Sequence, residues 1–234
     1  MKLVMDRLTK QYKNKIAVDR ISLCLKPGVH GLLGANGAGK TTLMRMLCGI
    51  LSPTGGSVNL NGADVSTEIY RSQLGYLPQD FGYYPEFTAW DFLIYMGLLK
   101  GMRKDLTKRK AKELLEIVGL KGIEKKKIKT FSGGMKQRLG IAQALLNDPK
   151  LIILDKPTAG LDPKERVRFR ELIARLGKEN IVLLSTHIVS DVEHIADQIL
   201  MMRNGQLIYS GTKEGVGTDL EKFYLDQFQE DTYV

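Results

Sequence analysis

The amino-acid sequence predicts an α/β fold, a parallel sheet interrupted once by a block of helices, and three features predict it. Apolar, strand-like runs at VHGLLG, KLIILD and NIVLLST are each followed by a segment of helical periodicity, the alternation that builds a parallel sheet. A glycine-rich loop, Gly34 to Thr41, sits between one such run and one such helix. From about Phe87 to Asn147 the spacing of apolar residues is helical throughout, so this block interrupts the α/β alternation and does not follow it.

The elements follow in order. Two strand-like runs, KLVMDRLTKQY and IAVDRISLCLK, open the chain, broken by the turn formers Lys-Asn-Lys and Pro-Gly. VHGLLG leads through the glycine-rich loop into the helix KTTLMRMLCGIL, which Ser-Pro and Gly-Gly stop. SVNLNG and SQLGYLPQD read as strands, the second ending at Pro78 and Gln79. The helical block holds AWDFLIYMGLLKG, TKRKAKELLEIVGL and GGMKQRLGIAQALLND, with apolar residues at i, i+3, i+4. Then come the strand KLIILD, the helix PKERVRFRELIARLGKE, the strand NIVLLST, the helix DVEHIADQ and the strand-like QILMMRNGQLIY. The tail places Leu220, Phe223, Tyr224 and Phe228 on one helical face, expected to dock on its own domain.

The chain has 234 residues, enough for one domain with an insertion. Its longest apolar run, Phe92 to Leu99, is far short of the roughly 20 residues that cross a bilayer. The amino terminus has no apolar signal-peptide core, so a cytosolic protein is expected. Cys24 and Cys48 lack metal-ligand or CxxC spacing and are expected to be buried and reduced. The net charge of +9 is concentrated between Lys100 and Lys129, where twelve basic residues face four acidic ones. Such a run fits a solvated helical face, a nucleic acid or an anionic membrane surface, and charge alone does not separate them.

GANGAGKT, Gly34 to Thr41, fits G-x-x-x-x-G-K-[ST] after a strand and before a helix. Glycines let successive backbone N–H groups turn toward phosphate oxygens, and the helix adds its positive end. Lys40 supplies a mobile ammonium for the β and γ phosphates, and Thr41 a hydroxyl for magnesium. The motif implies a bound nucleoside triphosphate.

FSGGMKQR, Phe131 to Arg138, lies shortly before LIILDKP, and together they resemble the ATP-binding cassette family, whose signature is Ser-Gly-Gly-Gln followed later by an apolar strand ending in Asp-Glu. The match runs nearly end to end: Tyr12 lies where the family stacks an aromatic on adenine, Gln79 at the glutamine loop, AGLD with Asp162 at the D-loop, and His187 at the switch histidine. The resemblance implies a P-loop NTPase core at 1–80 and 151–215, with a parallel sheet and an N-terminal antiparallel β subdomain. It also implies an inserted helical subdomain at 82–150 that carries the signature, and a C-terminal helix at 216–234. By the same resemblance ATP is held by Tyr12, Gly34, Ala35, Asn36, Gly37, Ala38, Gly39, Lys40, Thr41 and Thr42, and Mg2+ by Thr41, Gln79 and Asp155. His187 would contact the γ-phosphate, while His30 and His194 lack a motif and are expected to be structural. Ser132, Gly133, Gly134, Met135 and Asp162 would act in trans, capping ATP held by the other subunit of a head-to-tail dimer.

Two residues depart from the family pattern. Met135 replaces the commonest glutamine and resembles the exporter branch of antibiotic and drug-resistance pumps, in which the cassette pairs with a membrane permease on a separate chain. Lys156 stands where the family places the glutamate that polarises the attacking water. The expectation is therefore a cytoplasmic energy-coupling subunit, peripheral on the inner face of the cell membrane, that dimerises with itself or a second cassette and hydrolyses ATP slowly. An importer cassette, a soluble cassette acting on nucleic acid or the ribosome, and a non-hydrolytic ATP switch are the rival readings. Nucleic acid is not expected as a partner, since such cassettes generally carry two copies in one chain or long coiled-coil insertions.

Overall fold

A computed structural model describes residues 1–158, 160–186, 188–217 and 219–228. A six-stranded sheet forms the centre, with β3 (Gly28–Leu33), β6 (Leu74–Leu77), β7 (Leu151–Asp155), β8 (Ile181–Ser185), β9 (Gln198–Arg203) and β10 (Gln206–Thr212) in the order β10-β9-β3-β8-β7-β6. All neighbours pair in parallel except β10 with β9, which form a hairpin across the Asn204-Gly205 turn. A parallel sheet must be covered on both faces, and the burial of β7 shows how this is done. Leu151 and Ile153 enter one apolar core, Ile152 and Leu154 the other.

The first core lies under a four-stranded antiparallel sheet, order β2-β1-β4-β5, made of β1 (Leu3–Tyr12), β2 (Lys15–Leu25), β4 (Gly55–Leu60) and β5 (Ala63–Asp64). Helix α1 (Lys40–Leu47) is clamped between the two sheets by Leu43, Met44, Met46 and Leu47. The short α2 (Glu68–Ser72), which the sequence reading leaves unassigned, closes this side with the hydroxyl of the buried Tyr70 donating to the Leu47 carbonyl. The second core receives α3 (Ala89–Leu99), α4 (Lys104–Ile117) and α5 (Gly133–Ala144), which run between β6 and β7 although those strands are sheet neighbours. Helix α6 (Pro163–Gly177) covers the same face.

Three expectations need correction. Cys24 is exposed, because it sits on the outward-facing side of β2; Cys48 is buried. The helix expected at DVEHIADQ is only α7 (Val189–Glu193), because Asp197 is drawn into the edge of β3, its carboxylate accepting from Val29 N–H at 2.7 Å. The C-terminal helix is α8 (Leu220–Phe228) and begins later than 216, since residues 213–216 form a 3-10 turn ended by Gly217 at φ 89°. Leu220 is buried, and Phe223 and Tyr224 pack half-buried on the second core, so the tail docks on its own domain.

Ten of the twelve basic residues of the segment are exposed, as a solvated face requires, and Lys100 and Lys110 are half-buried. Lys100 at the end of α3 is half-buried, donates to Asn147 Oδ1 at 2.6 Å, and has its ammonium pushed down to about 8 by burial. The folded chain sheds this proton near pH 8, whereas an unfolded lysine keeps it to about 10.5. The unfolded state therefore binds more protons in that window, and this group makes stability rise with pH. Urea unfolding of Lys100→Met and of the parent between about pH 8 and 10 should differ in slope by on the order of 2 kcal/mol across the window, the parent rising more.

Candidate nucleotide site

The glycine-rich loop follows β3 and ends at α1, as its motif requires. Gly39 caps α1 at φ 104°, and a Cβ there would strike the Ala17 carbonyl, so the close approach of β2 to the loop depends on glycine. Ala38 O accepts from Gly205 N–H at 2.9 Å, which ties the loop to the β9–β10 turn. Tyr12, Lys15, Ala17 and Lys156 join the loop around an open cleft of about 300 Å³.

Lys40 is 6% exposed, and its Nζ donates to Gly34 O at 2.6 Å and Ala35 O at 2.9 Å. It thus folds back across the loop it belongs to. Burial first, and the positive charge of Lys156 second, hold its ammonium below the ordinary lysine value, against an opposing pull from Asp155. Asp155 ends β7 and is 1% exposed. Its two oxygens accept from Ser185 Oγ at 3.0 Å and Thr41 Oγ1 at 3.2 Å, so β7, β8 and α1 meet on one carboxylate. Hard oxygen donors of this kind suit Mg2+, which keeps most of its waters and is commonly held by one or two protein ligands plus phosphate. Among the described residues no cluster of three or more His, Cys, Asp or Glu offers a cation a site of its own.

Tyr12, at the end of β1, is 47% exposed beside the loop, with Lys10 Nζ 5.3 Å from its ring centre. An aromatic left open there has a free face for a base. Lys15, across the hairpin turn, lines the cleft and was missed by the sequence reading; no motif marks it. Ser185 was missed too, although its place at the end of NIVLLST, in register with Asp155, is a usable signal. His187 lies outside the described residues.

Gln79 is exposed two residues past β6, on the strand next to β7, and is not part of the cleft lining. The same stretch reaches the signature helix, because the hydroxyl of Tyr83 donates to Lys136 O. Ser132 caps α5, its Oγ accepting from Met135 N–H at 3.2 Å, which leaves the hydroxyl proton free to donate. Ser132 and Gly133 are exposed, Gly134 is buried and Met135 half-buried. Asp162 caps α6 in a capping box with Glu165. None of these five residues lines the cleft. The structure brings Tyr12, the loop and Lys156 together around one cleft, with Asp155 joined to them through Thr41, while Ser132 to Met135, Asp162 and Gln79 do not line that cleft.

A parallel sheet whose strand ends carry a phosphate-type loop and an oxygen-bonded acidic residue, beside an exposed aromatic from the antiparallel sheet, defines a phosphate-loop nucleotide-binding protein. Residues 18–159 match the ABC transporter family model, and the chain belongs to that family. It is 43% identical over 210 residues to an uncharacterized ABC transporter ATP-binding protein, YxlF, of Bacillus subtilis, covering 89% of this chain and 70% of that one. It is 42% identical over 207 residues to the bacitracin transport ATP-binding protein BcrA of Bacillus licheniformis, covering 86% and 66%. The fold matches a dimeric structure of a post-hydrolysis state of the ATP-binding cassette MJ0796 bound to ADP and Pi, with TM-score 0.82, 25% identity, and 90% and 98% coverage. The chain thus spans about two thirds of the length of the two curated relatives.

The two cations at the cleft give a direct prediction. Lys156→Glu removes the charge that depresses Lys40, so the Lys40 ammonium should titrate at higher pH in the variant. Lysine-selective NMR of the ε-carbons across pH 8–12 reads this shift, and an unchanged Lys40 titration would contradict the electrostatic account.

Proposed function

We propose that this chain is the energy-coupling ATP-binding subunit of an ABC exporter, in which ATP closes a head-to-tail dimer and the helical block passes that motion to a permease on a separate chain. The observation that carries the reading is the division of the site. The loop, Asp155 and Tyr12 form one half of a nucleotide site, while Ser132 and Gly133 stand exposed at the start of another helix outside the cleft. A helix start with free N–H groups and a hydroxyl suits a phosphate, and a second copy of the chain could supply one.

In this reading Tyr12 stacks on adenine, residues 34–42 hold the phosphates, and Lys40 swings from its own loop carbonyls onto the β and γ phosphates. Thr41, Asp155 and Gln79 would hold Mg2+, which when bound neutralises phosphate charge. Ser132, Gly133, Gly134, Met135 and Asp162 face the partner's nucleotide, and His187 contacts the γ-phosphate. The similarity to the bacitracin transport ATP-binding protein BcrA and the identity of Met135 support export of an antibiotic-like substrate. For the permease, the helical block offers an exposed apolar patch of Tyr84, Tyr95, Leu98 and Leu99 beside the Gln79 stretch, with Tyr84 stacked on Phe87. Among the described residues no helix is long and apolar enough to cross a membrane. A peripheral place on the inner membrane face through the permease follows from the same reading.

Lys156 sits at the cleft, where the family pattern puts a glutamate. A general base needs a free lone pair, and a protonated lysine has none. Loss of a positioned base typically costs about 10² to 10⁴ in rate. Steady-state phosphate release should therefore be slower in this chain than in Lys156→Glu by about that factor, with ATP binding intact in both. Equal turnover would refute the role given to position 156; no turnover in either, even with the permease, would favour a non-hydrolytic switch. Sedimentation at tens of micromolar protein should show a dimer with Mg-ATP and a monomer with ADP, and a monomer under both conditions would refute the two-subunit site.

A further inference from the structure

The helix that starts at the signature and the helix that starts after Asp162 belong to different parts of the fold, α5 to the inserted block and α6 to the core. One carboxylate joins them. Glu165 is the third residue of α6, and its Oε2 accepts from Asp162 N–H at 3.3 Å while its own N–H donates to Asp162 Oδ1 at 2.8 Å. Its Oε1 pairs with Arg138 Nη1 of α5 at 2.8 Å, both side chains being more than four-fifths shielded. Gly134 lies so close that a Cβ added there would come within 2.5 Å of Oε2, so the carboxylate rests against the first turn of α5 only because that residue is glycine. Arg138 Nε is buried and makes no hydrogen bond among the described residues, which leaves Glu165 as the acidic group the guanidinium depends on.

We propose that Glu165 is a positioning residue: paired with Arg138, it fixes the spacing between Ser132–Gly134 and Asp162 so that both present themselves together to a partner subunit's nucleotide. The proposal rests on the two-subunit reading above. Two recognition groups on separate elements must both be in place when a dimer closes, and fixing their spacing beforehand removes that ordering cost from association. A shielded ion pair suits this task, because breaking it leaves a charge without a partner and so resists drift between the two helices.

The test compares Glu165→Gln, Arg138→Gln and the double variant by three measurements: ATP affinity of the monomer, thermal unfolding, and sedimentation with Mg-ATP. Glutamine keeps the size of the side chain and an oxygen for Asp162 N–H, and removes only the charge. Glu165→Gln should leave monomer ATP affinity within about twofold and weaken ATP-driven dimerisation by about tenfold, with the two single changes non-additive in dimerisation beyond any coupling in melting. Dimerisation equal to the parent's, or coupling confined to melting, would overturn the proposal and assign the pair to the fold alone. Should Glu165→Gln fail to fold, Arg138→Lys, which keeps the charge and loses the planar fork, carries the same comparison. Failure of the parent chain itself to dimerise with ATP would overturn the two-subunit reading, and is told apart because no variant is needed to see it.

Discussion

Asp155 is 1% exposed, and a carboxylate so placed is stable only when its oxygens are bonded. The bonds it makes organise the cleft. Ser185 on β8 and Thr41 on α1 each take one oxygen, so the end of β7 cannot shift without disturbing the strand beside it and the helix that carries the phosphate loop. Around this point the sheet is apolar on both faces, and Asp155 is the place where a buried strand turns polar at its carboxyl end. Ligands of open α/β sheets bind at that edge, because loops leave the strands there and helix starts point inward. The antiparallel sheet then adds what the parallel one lacks, an exposed aromatic and a lysine at the β1–β2 turn, carried to the rim of the cleft by register alone.

What was legible in the sequence was what local chemistry dictates. A glycine-rich loop between a strand and a helix has few alternatives, and β7 announced itself as an unbroken apolar run ending in Asp155. The insertion was legible as a change of period from strand to helix, and β6 and β7 do turn out to be sheet neighbours across it. What stayed hidden depends on contacts between distant parts of the chain. Lys15 reaches the cleft because a hairpin folds it there, and Ser185 matters because β8 lies in register with β7. Glu165 reads as an ordinary capping residue until α5 is laid against α6 and Arg138 meets it. Cys24 was misjudged for the same reason, since an apolar setting in sequence does not say which face of an edge strand looks outward.

Part of the basic segment's charge is met by neighbouring side chains. Lys110 pairs with Glu113 and Asp148, Lys121 with Glu116, and Lys127 and Lys129 with Glu86, while Lys100 turns inward to Asn147. Two of the acidic partners, Glu86 and Asp148, lie outside the segment, so part of its excess charge is met by neighbouring elements. Exposed pairs of this kind contribute little to stability. Their effect is to lower the field that the helical block presents to any phosphate-rich or membrane surface.

Lys156 is unusual in its backbone as well as its side chain. Its N–H donates to Ser185 O at 2.9 Å, extending the β7–β8 ladder by one residue, and the chain then turns at φ 49° just before Pro157. A left-handed conformation costs an ordinary L residue about 1–2 kcal/mol, and the position before proline normally favours extended backbone. The turn is thus imposed by the strand ladder and does not arise from a preference of lysine. Glutamate would pay much the same backbone cost, so exchanging the two residues changes charge and leaves the local geometry its reason to persist. The consequence is electrostatic. Lys156 and Lys40 oppose each other at the cleft, and a phosphate chain lying near both would relieve that repulsion. Under the proposed reading the relief is larger for a triphosphate, whose terminal phosphate carries additional negative charge, than for a diphosphate. In that reading the ammonium that supplies no base for the attacking water would also favour the ATP-bound form over the ADP-bound one, so slow chemistry and prolonged closure would share one cause, a single charge at one position.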